Sequence, residues 1–486
     1  MPENTSPITT LWTSQDADAA TSGKSTREWD AMGVSIDTRT IQSGDLFVAL
    51  LAERDGHDFV AIAFAKGAAA ALVTHRPDNV PIDAPLLVVS DVLAALAALG
   101  QAARARSSAK VLAITGSVGK TSAKEMARTV LSCQGRVHAA EASYNNHWGV
   151  PLTLARLPSE TDFVVIEIGM SNPGEIAPLS QMTRPHVAMI TTVGAAHLQA
   201  FDDITGIAHE KAAIIDGLIP GGIVVLNADT ETSIVLQNYA SKREVTQVLF
   251  GQMSRTWKLE HVTLAQGLTL VQAVTPNGPL MFKLSTAGRH FAMNGLGILA
   301  ACAALGANPV MAAIDLVNWV PPAGRGTHEV VTFDPATEHE TLILLDDAFN
   351  ANPTSVTAAL EVLAAYEPRD YVGRIVKGRR VVILGDMLEL GPHEFAMHSD
   401  LANDPSVAEL HLFHCVGPRM RRLYDALPDN QRGQWAETAE TLAKMAAQLV
   451  DAGDIVLVKG SKGSKISLVV DAIRKLGHPD APNGSI

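Results

Sequence analysis

The chemistry-bearing stretch of this chain is VLAITGSVGKTSAKEM, residues 111–126. Apolar residues run into a loop bounded by Gly116 and Gly119, and Lys120, Thr121 and a helix-like segment follow. Paired glycines let a backbone turn sharply and press N–H groups against phosphate oxygens. Lys120 offers a cation to the β- and γ-phosphates, and Thr121 a hydroxyl to Mg²⁺. Thr115, Gly116, Ser117, Val118, Gly119, Lys120 and Thr121 therefore read as a loop holding a nucleoside triphosphate. Ile114 stands where the G-x-x-x-x-G-K-[ST] pattern has its first glycine. The strand before and the helix after must supply the confirming context.

Three further groups could serve such a site. Glu167 closes the apolar run FVVIE, and an acid at the carboxyl end of a sheet strand faces the ligand crevice. An ordinary strand-end carboxylate is the alternative. His197 follows another strand in ITTVGAAHLQAF, where a lone histidine is more often a hydrogen-bonded structural residue than a metal ligand. Lys211, in AHEKAAII, reads on composition as a solvated helix lysine.

The elements that must position these groups follow from the apolar pattern. At 486 residues the chain is long enough for about three domains of roughly 150 residues each. Strand-like runs at 46–50, 70–73 and 86–89 accompany helices at 59–67 and 92–106, a small α/β unit. The first thirty residues read as a loosely held start. Beyond residue 108, strands at 111–115, 163–168, 187–191 and 223–226 alternate with helices, the rhythm of a largely parallel sheet. Residues 246–284 alternate apolar and polar, which predicts an antiparallel excursion. A helix at 294–305 precedes the hinge-like VPPAGRGTHE. A third alternation predicts strands at 342–345, 381–384, 410–416 and 455–459, with a helix from Ser355. The fold class is α/β in three domains: 1–107, small; 108–325, a P-loop ATPase-like parallel sheet; and 326–486, Rossmann-like.

The net charge of −13 and the lack of a Lys/Arg block argue against a nucleic-acid partner. Cys133, Cys302 and Cys415 form no C-x-x-C pair and suit a reducing cytosol. The start lacks a basic segment followed by an apolar core, so no secretion signal is expected. No apolar run reaches the ~20 residues a bilayer requires. The expectation is a cytoplasmic protein without direct membrane insertion.

Between about residues 34 and 470 the chain resembles the Mur ligases, ATP-dependent amide-forming enzymes of peptidoglycan precursor synthesis. The resemblance runs through DTRT with IQSGDLFVAL, DGHDFVAIAFAKGA, TGSVGKTSAKEM, SYNNHWGVPLTL, EIGMSNPGEI, AHLQAF with Lys211, and GRHFAMN. DDAFNANPTSV, LGDMLELG and VKGSKGSK complete it. DDAFNANP and LGDMLELG resemble the branch that adds D-alanyl-D-alanine to a UDP-N-acetylmuramoyl-tripeptide. The resemblance implies catalytic roles for Lys120, Glu167, His197 and Lys211, with Mg²⁺ at Thr121, Glu167, His197 and a carbamylated Lys211. It further implies ATP contacts by Asn294, Arg325, Asp346 and Asn350, although Asn350 and Asn352 also suit a turn before Pro353. Asn145 and Asn146 map to the junction of substrate and phosphate. Asp37 and Arg39 map to the nucleotide-sugar end, with Arg39 equally readable as a surface arginine. The chain departs from the family's pattern at Ala196, Lys462 and Ser467. A monomer is expected. The rival readings are another Mur-type or folylpolyglutamate-type ligase, and a non-catalytic ATP-binding regulator.

Overall fold

A computed structural model describes residues 10–196, 198–265, 267–334 and 340–478. Among these residues the strands form three large sheets and one two-stranded ribbon. The first large sheet carries the parallel strands Gly33–Ser35, Asp45–Val48, Ala70–Val73 and Leu86–Val88, with Lys24–Ser25 antiparallel at its edge. The helix Val92–Arg106 follows. Asp91 caps it by accepting from Ala94 N at 2.9 Å, alanine and leucine fill it, and Arg104 and Arg106 in the last turn complement its dipole.

The strand Lys110–Thr115 then enters the central sheet between Phe163–Glu167 and Val187–Ile190, parallel to both. Val137–Ala139 lies beyond Phe163–Glu167, and Ile223–Asn227 beyond Val187–Ile190. The chain therefore winds outward in both directions from Lys110–Thr115. That reversal opens a crevice at the strand's carboxyl end, where the Gly116–Gly119 loop begins. In the C-terminal sheet, Thr341–Asp347, Ile455–Lys459, Arg380–Gly385, Leu412–Val416 and Arg432–Ala436 run parallel, with Thr327–Thr332 antiparallel at the edge.

Several sequence expectations change. Thr246–Gly251 continues the parallel sheet against Ile223–Asn227, and the antiparallel meander comprises only Trp257–Ala265, Leu268–Thr275 and Gly278–Leu284. The helix placed at 294–305 starts at Arg289, because Gly288 at φ +154° turns the chain into it. Arg432–Ala436 and the helix Ser467–Arg474 are additional elements, the former having too few apolar residues to read as a strand. The start is not loose from residue 10. Trp12–Thr13 pairs with Asp30–Ala31, and Thr13 caps the helix Ser14–Thr21.

Trp12 fastens this start to the central unit. Its ring is 1% exposed, its Nε1–H donates to Ala155 O at 2.8 Å, and the Arg106 guanidinium lies 4.2 Å from the ring centroid. Arg156 Nε adds a 2.6 Å bond to Val34 O. Among the described residues no helix is long and apolar enough to cross a membrane. Truncating Trp12 opens a cavity and unpairs a carbonyl between two units. W12A is expected to cost about 3–5 kcal/mol, read as a lower first unfolding transition in calorimetry.

Candidate active site

The loop after Thr115 is shaped by two glycines at positive φ, Gly116 at +155° and Gly119 at +86°. A Cβ on Gly116 would meet Thr191 Oγ1 at 1.9 Å, and one on Gly119 would meet Asn294 Nδ2 at 2.7 Å. Neighbouring backbone holds the loop in place. Ser117 Oγ donates to Gly194 O and accepts from Gly194 N, both at 3.0 Å, and Thr191 Oγ1 donates to Val118 O at 2.6 Å. The helix Lys120–Ser132 begins at Gly119 without a side-chain cap, so its first N–H groups point into the crevice. That is an anion cradle. Lys120 Nζ donates to Gly116 O at 2.5 Å. Burial pushes this amine below its ordinary range, Glu167 opposes the shift and Arg325 adds to it.

Glu167, 1% exposed at the end of its strand, accepts from Thr121 Oγ1 at 2.9 Å through one oxygen. Its other oxygen accepts from Asn145 Nδ2 at 2.7 Å. Ser143 Oγ lies 3.2 Å from Thr121 Oγ1 and accepts from Arg325 Nη2 at 3.1 Å. Oxygen donors thus gather beside the phosphate cradle. Among the described residues no cluster of three His, Cys, Asp or Glu side chains could hold a metal. Mg²⁺ in a nucleotide site needs only one or two protein oxygens, because phosphates and water complete its shell. Thr121 and Glu167 fit that requirement.

The C-terminal sheet closes the other wall of a cavity of about 390 Å³, which Lys120, Asn145, Asn146, Glu167, Asn294, Arg325, Asp347, Asn350 and Lys459 all line. Arg325 lies in the hinge-like connection, its guanidinium 3.9 Å from the Phe349 ring centroid. Phe349 N donates to Gly324 O at 3.0 Å and Gly326 N to Asp346 O at 2.8 Å, so this connection is stitched to the DDAFNANP segment. Lys459 Nζ donates to Asp347 Oδ2 at 2.7 Å and Asn350 O at 2.9 Å. Burial raises the Asp347 carboxyl, and Lys459 opposes it. Asn350 Oδ1 accepts from Ala351 N at 2.9 Å, while Asn352 caps the helix Pro353–Ala364.

Some expected residues lie apart. Asp346 does not line the cavity. Its carboxylate is taken by Arg474 Nη2 at 2.9 Å and Ala348 N at 3.1 Å, and strand alternation points Asp347 into the site in its place. Asp37 and Arg39 also lie outside the cavity, Arg39 Nη2 donating to Asp37 Oδ2 at 2.6 Å. Asp37, by its hydrogen bond and charge, raises the Arg39 guanidinium, and Tyr144 adds slightly to that shift. Asn146 Oδ1 accepts from Gly149 N at 2.9 Å, at the start of the helix Gly149–Ala155. Lys211 is 1% exposed beside Lys120, and burial, then the like charge of Lys120, push its amine well below the ordinary lysine range. His197 lies outside the described residues.

Sequence reasoning missed Asp347, Lys459, Ser143 and His290. Alternation along the strand shows that Asp346 and Asp347 point oppositely without saying which faces the site, whereas Lys459 was signalled by closing the apolar run IVLVK. Burial and Lys459 push the His290 imidazole, whose Nδ1 is sealed from solvent without a partner among the described residues, down to about 4.

A phosphate loop at the switch point of a central sheet, roofed by a second α/β sheet through the half-buried Arg325, defines an ATP-dependent ligase architecture. The chain belongs to the Mur ligase family. The family catalytic domain matches residues 31–112, the Mur ligase middle domain 114–305, and the Mur ligase glutamate ligase domain 333–462. Its similarity is to UDP-N-acetylmuramoyl-tripeptide–D-alanyl-D-alanine ligases. That of Escherichia coli is 34% identical across 91% of this chain and 94% of the relative. That of Bacillus subtilis is 32% identical across 90% and 92%. A solved structure of MurF from Acinetobacter baumannii superposes with a TM-score of 0.81 at 27% identity, covering 96% of this chain and 99% of that one.

Two outcomes follow from the site. G119A forces a positive φ and a clash with Asn294, so ADP affinity measured by calorimetry should fall tenfold or more, about 1.4 kcal/mol. His290, and outside the site His414 in the strand Leu412–Val416, are each held down at about 4 from 6.5 by burial, so the unfolded chain binds more protons below pH 6.5. Their contribution is complete above pH 6.5 and is lost as pH falls towards 4. Each should remove about 2 kcal/mol of stability between pH 6.5 and 4.5, and unfolding of H290Q should show a shallower slope there.

Proposed function

We propose that this chain joins D-alanyl-D-alanine to UDP-N-acetylmuramoyl-tripeptide through an acyl phosphate, releasing ADP and phosphate in the cytoplasm as a monomer. The carrying observation is the single cavity that combines the Gly116–Gly119 cradle, Lys120, the Thr121–Glu167–Asn145 cluster and the Arg325–Asp347–Lys459 wall. Three domains divided near 107/108 and 325/326 accord with the three sheets. Asp37 and Arg39 are assigned to the nucleotide-sugar end, and Asn145 and Asn146 to the peptide that must reach the γ-phosphate.

A carboxylate does not condense with an amine in water at a useful rate, so it must first be activated. The tripeptide's terminal carboxylate oxygen attacks the γ-phosphorus in line, and the bond to the β–γ bridging oxygen breaks, leaving ADP. Lys120 and the first N–H groups of its helix lie where charge builds on the transferring phosphoryl. The dipeptide amine, once deprotonated, attacks the acyl carbon, and phosphate leaves from the tetrahedral intermediate. Arg325, Phe349 and Lys459 close the wall and keep water from the acyl phosphate.

Mg²⁺, when bound, neutralises phosphate charge and orients the transferring group. Thr121 and Glu167 would hold it, with His197 and Lys211 assigned to a second ion. The buried Lys211 amine suits carbamylation, because burial and Lys120 favour the neutral form that adds CO₂, and loss of the proton then leaves an anion facing the positive charge of Lys120.

The test is phosphate release by the purified chain with ATP, Mg²⁺ and the UDP-tripeptide, with and without D-alanyl-D-alanine. Release dependent on the dipeptide is expected, and K120M should lower its kcat by about a thousandfold. Release with a single amino acid alone would reassign the branch, and none with either acceptor would leave a nucleotide-binding regulator.

A further inference from the structure

One buried cation has no part in the chemistry above. Lys124 lies one helical turn beyond Lys120 on the helix Lys120–Ser132 and is 0% exposed. An ammonium has three protons, and here each has an acceptor: Ala140 O at 2.6 Å, Ala142 O at 3.2 Å and Glu125 Oε1 at 2.9 Å. Burying such a charge is unfavourable unless it is fully paired. A lysine serving only to pair with its neighbour Glu125 could do so at the surface. The two carbonyls explain the buried position.

These carbonyls belong to residues 140–146, an irregular stretch between the strand Val137–Ala139 and the helix Gly149–Ala155. Without helix or sheet hydrogen bonds, such a stretch needs other anchors. At its far end Asn145 O accepts from Gly169 N at 2.8 Å, and at its near end Lys124 holds Ala140 and Ala142. Ser143 and Asn145, which meet Thr121, Arg325 and Glu167, lie immediately beyond the Lys124 contacts. One helix thus presents Lys120 and Thr121 to the phosphate and, a turn later, fixes the segment that reaches the substrate.

We propose that Lys124 is a positioning residue that sets the 143–146 segment against the phosphate loop, acting through the carbonyls of Ala140 and Ala142. This rests on the ligase reading for its kinetic consequences, while the geometric claim stands independently. A stretch without its two bonds from Lys124 would leave Asn145 less well fixed and Glu167 with one firm partner.

The experiment compares wild type, K124M, N145A and the double variant as full chains. The measurements are kcat and KM for the UDP-tripeptide, ADP affinity by calorimetry, and amide hydrogen exchange. K124M should lower kcat/KM for the UDP-tripeptide by about thirtyfold, change ADP affinity by less than about threefold, and speed exchange across 140–146 alone. In the N145A background the same change should cost less than about threefold, since both act through one segment. Undiminished loss in that background, an equal fall in ADP affinity, or unchanged exchange would each overturn the proposal. Should K124M not fold, K124Q, which keeps two N–H donors on a shorter arm, runs the same comparison. A wild-type chain forming no amide would sink the ligase reading, and exchange would still decide the positioning.

Discussion

The rest of the site depends on how the Glu167 carboxylate is shared. It is buried, and its two oxygens are claimed by Thr121 from the phosphate-loop helix and Asn145 from the 143–146 segment. A buried anion this close to Lys120 and Arg325 offsets both cations, and each feels it as an opposing charge. Three stretches far apart in sequence are thereby fixed to one point at the end of a central strand. Precise placement of this kind is what phosphoryl transfer chiefly requires of a protein.

The C-terminal unit completes the site from above through charge as well as shape. Lys459 and Asp347, register partners on adjacent parallel strands, form an ion pair at 2.7 Å with Lys459 only 2% exposed. Arg325 reaches from the connection to Ser143 in the central unit while packing on Phe349 of the C-terminal one. A second contact joins Gln199 N to Glu389 O at 3.4 Å, bringing Glu389 of LGDMLELG against residues 198–200. The two units therefore meet, through discrete polar contacts, on residues that the sequence places about 190 positions apart.

Much of this was legible in the sequence because it is local. The helix Val92–Arg106 carries its own cap, its own alanine-rich body and its own basic last turn. The strands Ala70–Val73 and Ile455–Lys459 are apolar runs buried on both faces. GSVGKT specifies its turn through two glycines whose φ values only glycine adopts freely. Where several residues share one face, reading was weaker. Thr246–Gly251 looked antiparallel because pairing direction is set by the neighbouring strand, and Trp12 gave no sign of the carbonyl it reaches 143 residues away.

The sequence by itself determined the α/β class, the phosphate loop with Lys120 and Thr121, and Glu167 at a strand end, since each follows from residue type and short spacing. Only the tertiary structure decided that Asp347 faces the cavity while Asp346 turns to Arg474. Only it made Lys211 a buried amine in place of a solvated helix lysine, buried Lys124, and brought Lys459 to Asp347. The physical reason is common to all of these. A side chain's charge state and role depend on which distant elements exclude water from it, and local spacing carries no record of that exclusion.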